Sequence, residues 1–163
     1  MSWPAAEFDA MYRRHAPLVH RRARALLGSD AAALDVVQDL FTSLYERPGQ
    51  FEGKSSLPTF LYAATTHACW TRLRDGRNRL RLVQQEGDTL HRPTASPDPE
   101  QFAELRQLLA RLEEPLASVL VYYFYDQMTH AEIAELVGCS RRQVGYLLDR
   151  LDREVRSPGE ATP

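Results

Sequence analysis

The apolar residues of this chain recur at intervals of three and four along most of its length, the spacing that places them on one face of an α-helix. No stretch of any length alternates apolar and polar residues in the manner of a half-buried strand. The periodicity is lost in residues 86–100, which contain three prolines. The pattern therefore predicts an all-α protein with two small helical domains, at residues 1–85 and 101–157, joined by a flexible linker and followed by a loose tail at 158–163.

The N-terminal helical pattern contains Pro17 and ends at Gly28, so this segment is either one long kinked helix or two short helices. Ser29 or Asp30 is expected to cap the next helix. The predicted apolar face of that second helix consists of Leu34, Val37, Leu40, Phe41, Leu44 and Tyr45. Its opposite face carries Asp35, Gln38, Asp39 and Thr42. From periodicity alone, a solvated helix surface is a sufficient explanation of this polar face.

The third predicted helix starts near Ser55 or Ser56 and has two different faces. The face expected to pack against the earlier helices consists of Leu61, Ala64, Thr65 and Ala68. The other face mixes aromatic rings with cations and consists of Phe60, Ala63, His67, Trp70, Arg74 and Arg77. Aromatic rings can stack on unpaired bases at roughly 1–3 kcal/mol each while arginines follow the phosphates, so this face predicts binding of single-stranded or melted DNA. An equally good interpretation places Phe60 and Trp70 in the core and treats the arginines as a solvated helix end.

Two helices joined by a very short turn are predicted near the C-terminus. Thr129 and Glu132 match the pattern in which the first side chain caps a helix and the fourth reaches back, and Ser140 and Gln143 repeat it. Gly138 should end the first of these helices. Helices joined so closely cross steeply, as in the DNA-binding helix-turn-helix, whose second helix enters the major groove. An ordinary helical hairpin inside an all-α core is the alternative interpretation.

The charge of the chain is distributed unevenly. Its formal net charge is −2, but residues 1–92 hold 13 Lys and Arg against 10 Asp and Glu, whereas residues 93–163 hold 7 against 12. Binding to DNA gains free energy from counterions released as phosphates are neutralised, so a chain this acidic is expected to bind naked DNA weakly by itself. A second partner is therefore expected to hold it on DNA.

The residue types that would indicate catalysis, a metal or a membrane are missing from the sequence pattern. Cys69 and Cys139 lie far apart with no CxxC spacing, and no phosphate-binding Gly-rich loop or catalytic triad pattern occurs. No apolar run is long enough to cross a bilayer, and the N-terminus lacks the basic-then-apolar order of a signal peptide. We expect a cytoplasmic protein with no catalytic activity, no cofactor, no metal and no membrane insertion.

The order of these elements resembles the extracytoplasmic-function group of the sigma-70 family, the promoter-recognition subunits of bacterial RNA polymerase. The resemblance covers about residues 8–81 and 104–156. The motifs FDAMYRRHAPLV, DVVQDLFTSLY and FEGKSSLPTFLYAATTHACWTRLR are similar to the family's core-binding and minus-ten region. The motif LEEPLASVLVYYFYDQMTHAEIAELVGCS is similar to its minus-thirty-five-binding region.

This resemblance implies a protein that binds core RNA polymerase at the clamp and the flap, directs it to promoter DNA, and is held inactive by an anti-sigma factor. The implied polymerase-binding residues are Asp35, Val36, Gln38, Asp39, Phe41 and Thr42. The implied minus-ten residues are Lys54, Thr59, Phe60, Tyr62, His67, Trp70, Arg72, Arg74 and Arg77. The implied minus-thirty-five residues are Thr129, Ser140, Arg141, Arg142, Gln143 and Tyr146.

Two other functions compete with this one. A sigma-like regulator that binds proteins but has lost promoter reading is suggested by Gly145 and Leu147, which stand where the family usually carries cations, and by the acidic C-terminal half. A free-standing repressor would have to bind its operator tightly without polymerase, and the negative net charge argues against it.

Overall fold

The computed structural model describes residues 2–86 and 103–157. The predicted linker beyond Glu86 and the predicted tail from residue 158 lie outside the described residues. Within the described ranges all regular structure is helical, which confirms the predicted all-α class with two helical domains. None of the described helices combines the length and the apolar character that a membrane span requires.

The N-terminal segment forms one helix, α1 (Ala5–Leu27), which continues through Pro17. The alternative of two short helices is therefore wrong. Gly28 ends the helix with a positive φ of 68°, and its N–H donates to the carbonyl of Arg24 at 2.8 Å. A glycine adopts this left-handed conformation without the penalty that a Cβ would incur.

Three further helices complete the first part of the fold. Helix α2 (Asp30–Glu46) is capped by Ser29, whose hydroxyl accepts from the Ala32 N–H at 3.2 Å. A 3₁₀ turn (Pro48–Gln50) leads towards the long α3 (Leu57–Glu86), and α4 (Ala103–Arg111) follows the undescribed segment. Helices α1, α2 and α3 pack on one another, and α4 packs against α3.

The described chain separates into two compact units between Arg111 and Leu112. Helix α4 thus belongs to the first unit by its packing, although the sequence placed the start of the second domain at residue 101. Local periodicity identifies α4 as an amphipathic helix with Leu109 on its buried side, but it does not specify which neighbour covers that side.

The second unit contains α5 (Glu114–Leu120), a π-helical turn (Val121–Tyr125), α6 (His130–Val137) and α7 (Arg141–Arg156). Helices α5 and α6 both pack against α7. The core between them consists of Leu116, Val119, Val121, Ile133, Val144 and Leu151. Only three residues separate α6 from α7, so the predicted helix-turn-helix is confirmed.

Side-chain caps start both helices of this motif. The hydroxyl of Thr129 accepts from the Glu132 N–H at 3.2 Å, and the Glu132 carboxylate accepts from the Thr129 N–H at 2.7 Å. Gly138 then ends α6 with a φ of 77°, and the Ser140 hydroxyl accepts from the Gln143 N–H at 3.1 Å to start α7. The bonds at α6 form the predicted reciprocal pair, whereas at α7 only the hydroxyl bond is present. Both caps satisfy backbone donors that the first turn of a helix leaves open.

The π-helical turn carries a cluster of aromatic side chains. The Asp126 N–H donates to the carbonyl of Val121 at 2.9 Å, five residues back, which is the bond that defines the wider turn. Tyr122 is buried, whereas Tyr123, Phe124 and Tyr125 are exposed.

Candidate functional site

The polar face of α2 remains open to solvent, as predicted. Its exposed side chains are Asp35, Gln38, Asp39 and Thr42. Val36 and Phe41, which the family resemblance placed with them, are only 1% and 2% exposed. Because these two side chains lie mostly in the helical core, their main contribution is to hold α2 in place. The solvent-exposed members of this set are therefore the four polar residues.

An aromatic groove of about 700 Å³ lies beside this face, between α1 and α2. Its walls include Phe8, Tyr12, Leu34, Gln38, Phe41 and Tyr45. The rings of Tyr12 and Phe41, and those of Phe8 and Tyr45, meet edge to face with their centroids 4.9 Å apart. Such pairs add about 0.5–1.5 kcal/mol to the free energy gained by burial.

The groove corrects the sequence interpretation of α2. Leu34 and Tyr45, predicted on the packed face, are 54% and 51% exposed. The signal for the groove was present in the sequence, because Phe8 and Tyr12 on one helix and Phe41 and Tyr45 on the other are each four residues apart. Two helices in contact cannot bury four large rings completely, so part of the cluster is left facing solvent.

Helix α3 buries a broader stripe than its sequence suggested. Its buried side chains are Leu61, Thr65, Thr66, Cys69 and Trp70, whereas Ala64 and Ala68 are only half-buried. Three helices, α1, α2 and α4, pack against α3, so a division into one packed and one open face is too simple. Burial raises the pKa of the Cys69 thiol to about 12, against the opposing effect of the nearby Arg22 and Arg72 charges.

Trp70, predicted to lie beside bases, is 8% exposed. The His67 ring has its centroid 5.7 Å from the indole, and the Arg74 guanidinium carbon lies 4.7 Å from the ring centroid. A base cannot stack on an indole that is buried in this way. Trp70 therefore packs beneath the more exposed His67 and Arg74 and does not itself offer an open stacking surface.

The segment before α3 contains a second aromatic contact. Phe51 and Phe60 lie with their ring centroids 5.5 Å apart, and both are half-buried. Lys54, on the intervening loop, is paired with Glu52, a partner that the sequence analysis missed. Their hydrogen bond raises the pKa of the Lys54 ammonium and lowers that of the Glu52 carboxyl. The loop therefore holds its cation close to a carboxylate in the unbound protein.

Two arginine contacts tie α3 to the other helices of the first unit. Arg72 on α3 is paired with Asp39 on α2. Arg22 on α1 donates from Nε and Nη2 to the Thr66 hydroxyl at 2.9 and 2.8 Å. Its guanidinium carbon also lies 3.5 Å from the centroid of the Tyr62 ring. Arg22 was absent from the residues singled out in the sequence, because a single arginine on an amphipathic helix gives no local signal.

The N-terminal part of α7 presents the predicted recognition residues to solvent. Arg141, Arg142, Gln143 and Tyr146 are all exposed, and Tyr146 is 60% exposed. Among the residues that the structure describes, no carboxylate is within ion-pair distance of Arg141 or Arg142. Thr129 and Ser140, assigned to the same surface, use their hydroxyl groups as helix caps.

The positions that prompted the alternative function behave differently from one another. Leu147 is buried in the core of the second unit, where a cation would be strongly disfavoured. Gly145 has no atom within 4 Å of the place where a Cβ would stand. Over residues 2–86 and 103–157, no three His, Cys, Asp or Glu side chains are grouped so that they could hold a metal ion.

Comparisons with known proteins place both units in one family. The sequence matches the family description "Sigma-70 region 2" over residues 11–79 and "Sigma-70, region 4" over residues 102–151. The second match begins before α4, so it includes a helix that packs with the first unit.

Individual relatives extend this similarity over most of the chain. RNA polymerase sigma factor YlaC of Bacillus subtilis is 31% identical over 134 residues, which cover 76% of this chain and 75% of that protein. ECF RNA polymerase sigma factor SigE of Mycolicibacterium smegmatis is 26% identical over 162 residues, 91% of this chain and 60% of that protein.

A solved structure supports the fold. The sigma factor RpoE from Bartonella quintana, in complex with the anti-sigma factor NepR, matches with a TM-score of 0.51 and 18% identity over 92% of this chain and 94% of that chain. The chain belongs to the extracytoplasmic-function group of the sigma-70 family of RNA polymerase sigma factors.

Proposed function

We propose that the protein reads promoters with two modules: the first unit binds core RNA polymerase and the minus-ten strand, and the second binds the minus-thirty-five element. As a sigma factor it directs promoter recognition in transcription initiation. The observation that carries the two-module proposal is the presence, in one chain, of an exposed polar face on α2 and exposed arginines at the start of α7.

The polymerase-binding surface is the exposed face of α2. Asp35 gives it negative charge, Asp39 adds a second carboxylate that is paired with Arg72 in the unbound protein, and Gln38 and Thr42 add hydrogen-bonding groups next to the aromatic groove. An acidic face beside an apolar groove suits a basic, amphipathic helical partner, because complementary charge steers association and apolar burial holds the complex. We assign this partner to the polymerase clamp. It supplies the affinity that the acidic chain cannot obtain from DNA alone.

The minus-ten surface follows the exposed side of α3 and the loop before it. Lys54, Arg74 and Arg77 provide cations for phosphates, and His67 and the half-buried Phe60 provide rings near them. Melted DNA offers unpaired bases to aromatic groups and a flexible phosphate chain to cations. Thr59, Tyr62 and Arg72 complete the proposed surface, with Trp70 beneath it.

The minus-thirty-five surface is the N-terminal half of α7. Arg141 and Arg142 are free to bind guanine edges or phosphates, and Gln143 and Tyr146 extend the exposed surface. This is the part of a recognition helix that enters the major groove. We propose that the same unit contacts the polymerase flap.

Three further properties are proposed from the family. The RpoE structure contains the anti-sigma factor NepR, so we propose that a small anti-sigma protein also restrains this chain. Sigma factors generally act without catalytic chemistry of their own, and we propose the same here. Since its partners are polymerase and chromosomal DNA, we place its action in the cytoplasm.

The alternative, a sigma-like regulator without promoter reading, is not favoured. The relatives are sigma factors, and α7 keeps two exposed arginines even though Gly145 lacks a side chain.

The proposed function is tested by combining the protein with core polymerase from its source bacterium and sequencing the genomic fragments that the complex retains. We expect stable core binding, a shared promoter motif and specific run-off transcripts. A protein that does not bind core polymerase would contradict the proposal, and core binding without any enriched motif would support the regulator instead.

Paired variants then test the surface on α7. The double variant Arg141→Ala with Arg142→Ala should weaken promoter binding by roughly tenfold or more. The slope of its affinity against salt concentration should fall by the amount expected for the loss of about two phosphate contacts. Arg153→Ala with Arg156→Ala removes the same charge from the far end of the helix and serves as the control. Equal losses in the two variants would show that net charge, not the recognition surface, matters.

A further inference from the structure

Arg22 on α1 joins two parts of α3 in a closed set of contacts. Its guanidinium donates twice to the Thr66 hydroxyl, at 2.9 and 2.8 Å. The Thr66 hydroxyl in turn donates to the Tyr62 carbonyl at 3.0 Å, one helical turn earlier. The same guanidinium covers the Tyr62 ring at 3.5 Å from its centroid. Arg22 therefore contacts the Tyr62 ring directly, and it is linked to the Tyr62 backbone carbonyl through the Thr66 hydroxyl.

These contacts restrict the Tyr62 side chain more than an ordinary surface tyrosine is restricted. Thr66 is buried, so the acceptor that holds the guanidinium cannot move freely. The flat guanidinium lies against the flat phenol ring, and it fixes the ring plane as well as its position. Tyr62 is only half-buried, so part of the side chain remains accessible to a ligand.

We propose that Arg22 is a positioning residue for minus-ten recognition: it holds the Tyr62 ring in the orientation in which an unpaired base of the minus-ten strand binds it. This inference rests on the proposed function, because it requires that α3 bind melted DNA. A ring already fixed in its binding orientation loses less conformational freedom when the base arrives, so affinity is gained without a new contact. Arg22 itself touches no DNA in this scheme.

A purely structural role for Arg22 makes a different prediction. If the residue only ties α1 to α3, its loss lowers stability and weakens every activity of the first unit, whether or not Tyr62 is present. If it acts through Tyr62, its effect on DNA binding disappears once the ring is removed. A double-mutant cycle separates these two cases.

The experiment uses the full chain bound to core polymerase. The probe is a fluorescent single-stranded oligonucleotide of about 12 nucleotides that spans the minus-ten non-template strand of a promoter selected by the wild-type holoenzyme. Dissociation constants are measured for wild type, Arg22→Ala, Tyr62→Ala and the double variant. Arg21→Ala removes a neighbouring exposed arginine of the same helix and is the charge control. Core affinity and melting temperature are measured for each variant.

We expect Arg22→Ala to weaken oligonucleotide binding about three- to tenfold when Tyr62 is present. In the Tyr62→Ala background the same change should weaken binding by less than about twofold. Arg22→Lys keeps the charge but not the planar stack and should recover only part of the loss. Core affinity should stay within about twofold throughout.

A second readout locates the contact on the DNA. Each base of the probe is replaced in turn by an abasic site. The replacement should weaken binding by the wild type at one position of the probe, and it should not weaken binding by Arg22→Ala at that position. Equal effects of Arg22→Ala with and without Tyr62 would overturn the inference while leaving the proposed function intact. A wild-type holoenzyme that selects no promoter would overturn both.

Discussion

The guanidinium of Arg72 on α3 is paired with the carboxylate of Asp39 on α2. Arg72 belongs to the proposed minus-ten surface and Asp39 to the proposed polymerase-binding face, so in the unbound protein one residue from each surface neutralises the other. Asp39 is largely exposed, and an exposed pair of this kind contributes at most about 1 kcal/mol to stability. We expect its importance to be electrostatic, because a polymerase contact that engaged Asp39 would leave Arg72 free to bind phosphate.

Releasing this pair should strengthen DNA binding by the free protein. We expect Asp39→Asn to increase affinity for single-stranded DNA up to about fivefold, with a salt slope steeper by about 0.7, because one more cation meets phosphate. Asp35→Asn removes the same charge from the same helix without releasing Arg72 and is the matched control. Affinities measured across a salt series would contradict the coupling if both variants changed equally.

The stability of the first unit should depend on His15. This side chain is buried, and its Nδ1 has no hydrogen-bond partner among the described residues. Burial, with a smaller contribution from the Arg14 charge, lowers the pKa of His15 below its ordinary value of 6.5. A lowered folded-state pKa means that the folded protein favours the neutral imidazole. The stability that depends on a neutral His15 is therefore fully present above about pH 6.5, and it is lost as the pH falls through the folded-state pKa.

Chemical denaturation between about pH 7.5 and about pH 5 would measure this dependence. We expect the free energy of unfolding to fall with acidification in the wild type and to fall less in His15→Gln. Parallel profiles for the two proteins would assign the pH dependence to other groups.

The two thiols should differ sharply in reactivity. Cys69 is buried and its pKa is raised to about 12, so almost no thiolate is available near neutral pH, whereas Cys139 lies partly exposed in the turn between α6 and α7. We expect a maleimide to label the native protein at Cys139 alone and the unfolded protein at both cysteines. Mass spectrometry of Cys139→Ser should show no labelling until the protein is unfolded. Rapid native labelling of that variant would contradict the buried position of Cys69.

The capping box of α6 should stabilise the helix-turn-helix locally. Thr129→Ala removes the hydroxyl that accepts from the Glu132 N–H, and such losses cost about 1 kcal/mol. Amide exchange in α6 should then speed up roughly fivefold, while Thr129→Ser should change it little. The hydrogen bonds from Thr129 also lower the pKa of the Glu132 carboxyl. The stabilisation of α6 by the ionised carboxylate is therefore present above the ordinary Glu pKa, and it is lost as the pH falls through the lowered pKa. Unchanged exchange in Thr129→Ala would show that packing alone holds α6.

Sequence alone predicted the second unit better than the first. The helix ends of the second unit depend on local contacts, because the caps Thr129, Gly138 and Ser140 bond to groups only three or four residues away. The local sequence pattern therefore predicts where α6 begins and ends and where α7 begins. The burial of α3 and α2 depends on how many helices surround them, which periodicity does not report. For that reason Trp70, predicted on the open face of α3, lies in the core, and Leu34, predicted on the packed face of α2, is exposed.

The residues proposed for function divide in the same way. Arg141 and Arg142 could be predicted as exposed candidates because a recognition helix presents its first turn regardless of the rest of the fold. Arg22 could not, because its importance comes from meeting Tyr62 and Thr66, more than thirty-five residues away on another helix.

The π-helical turn at Val121–Tyr125 shifts the helical phase at the end of the segment that begins with α5. A π turn holds an extra residue compared with an α turn. The side chains at its end are therefore rotated by about 100° from the positions that the spacing of α5 would give them. Deleting one residue there would restore a regular helix and rotate the following aromatic side chains around the axis. Any redesign of this aromatic cluster should therefore assign its exposed and buried positions from the π turn itself, not from the spacing of α5.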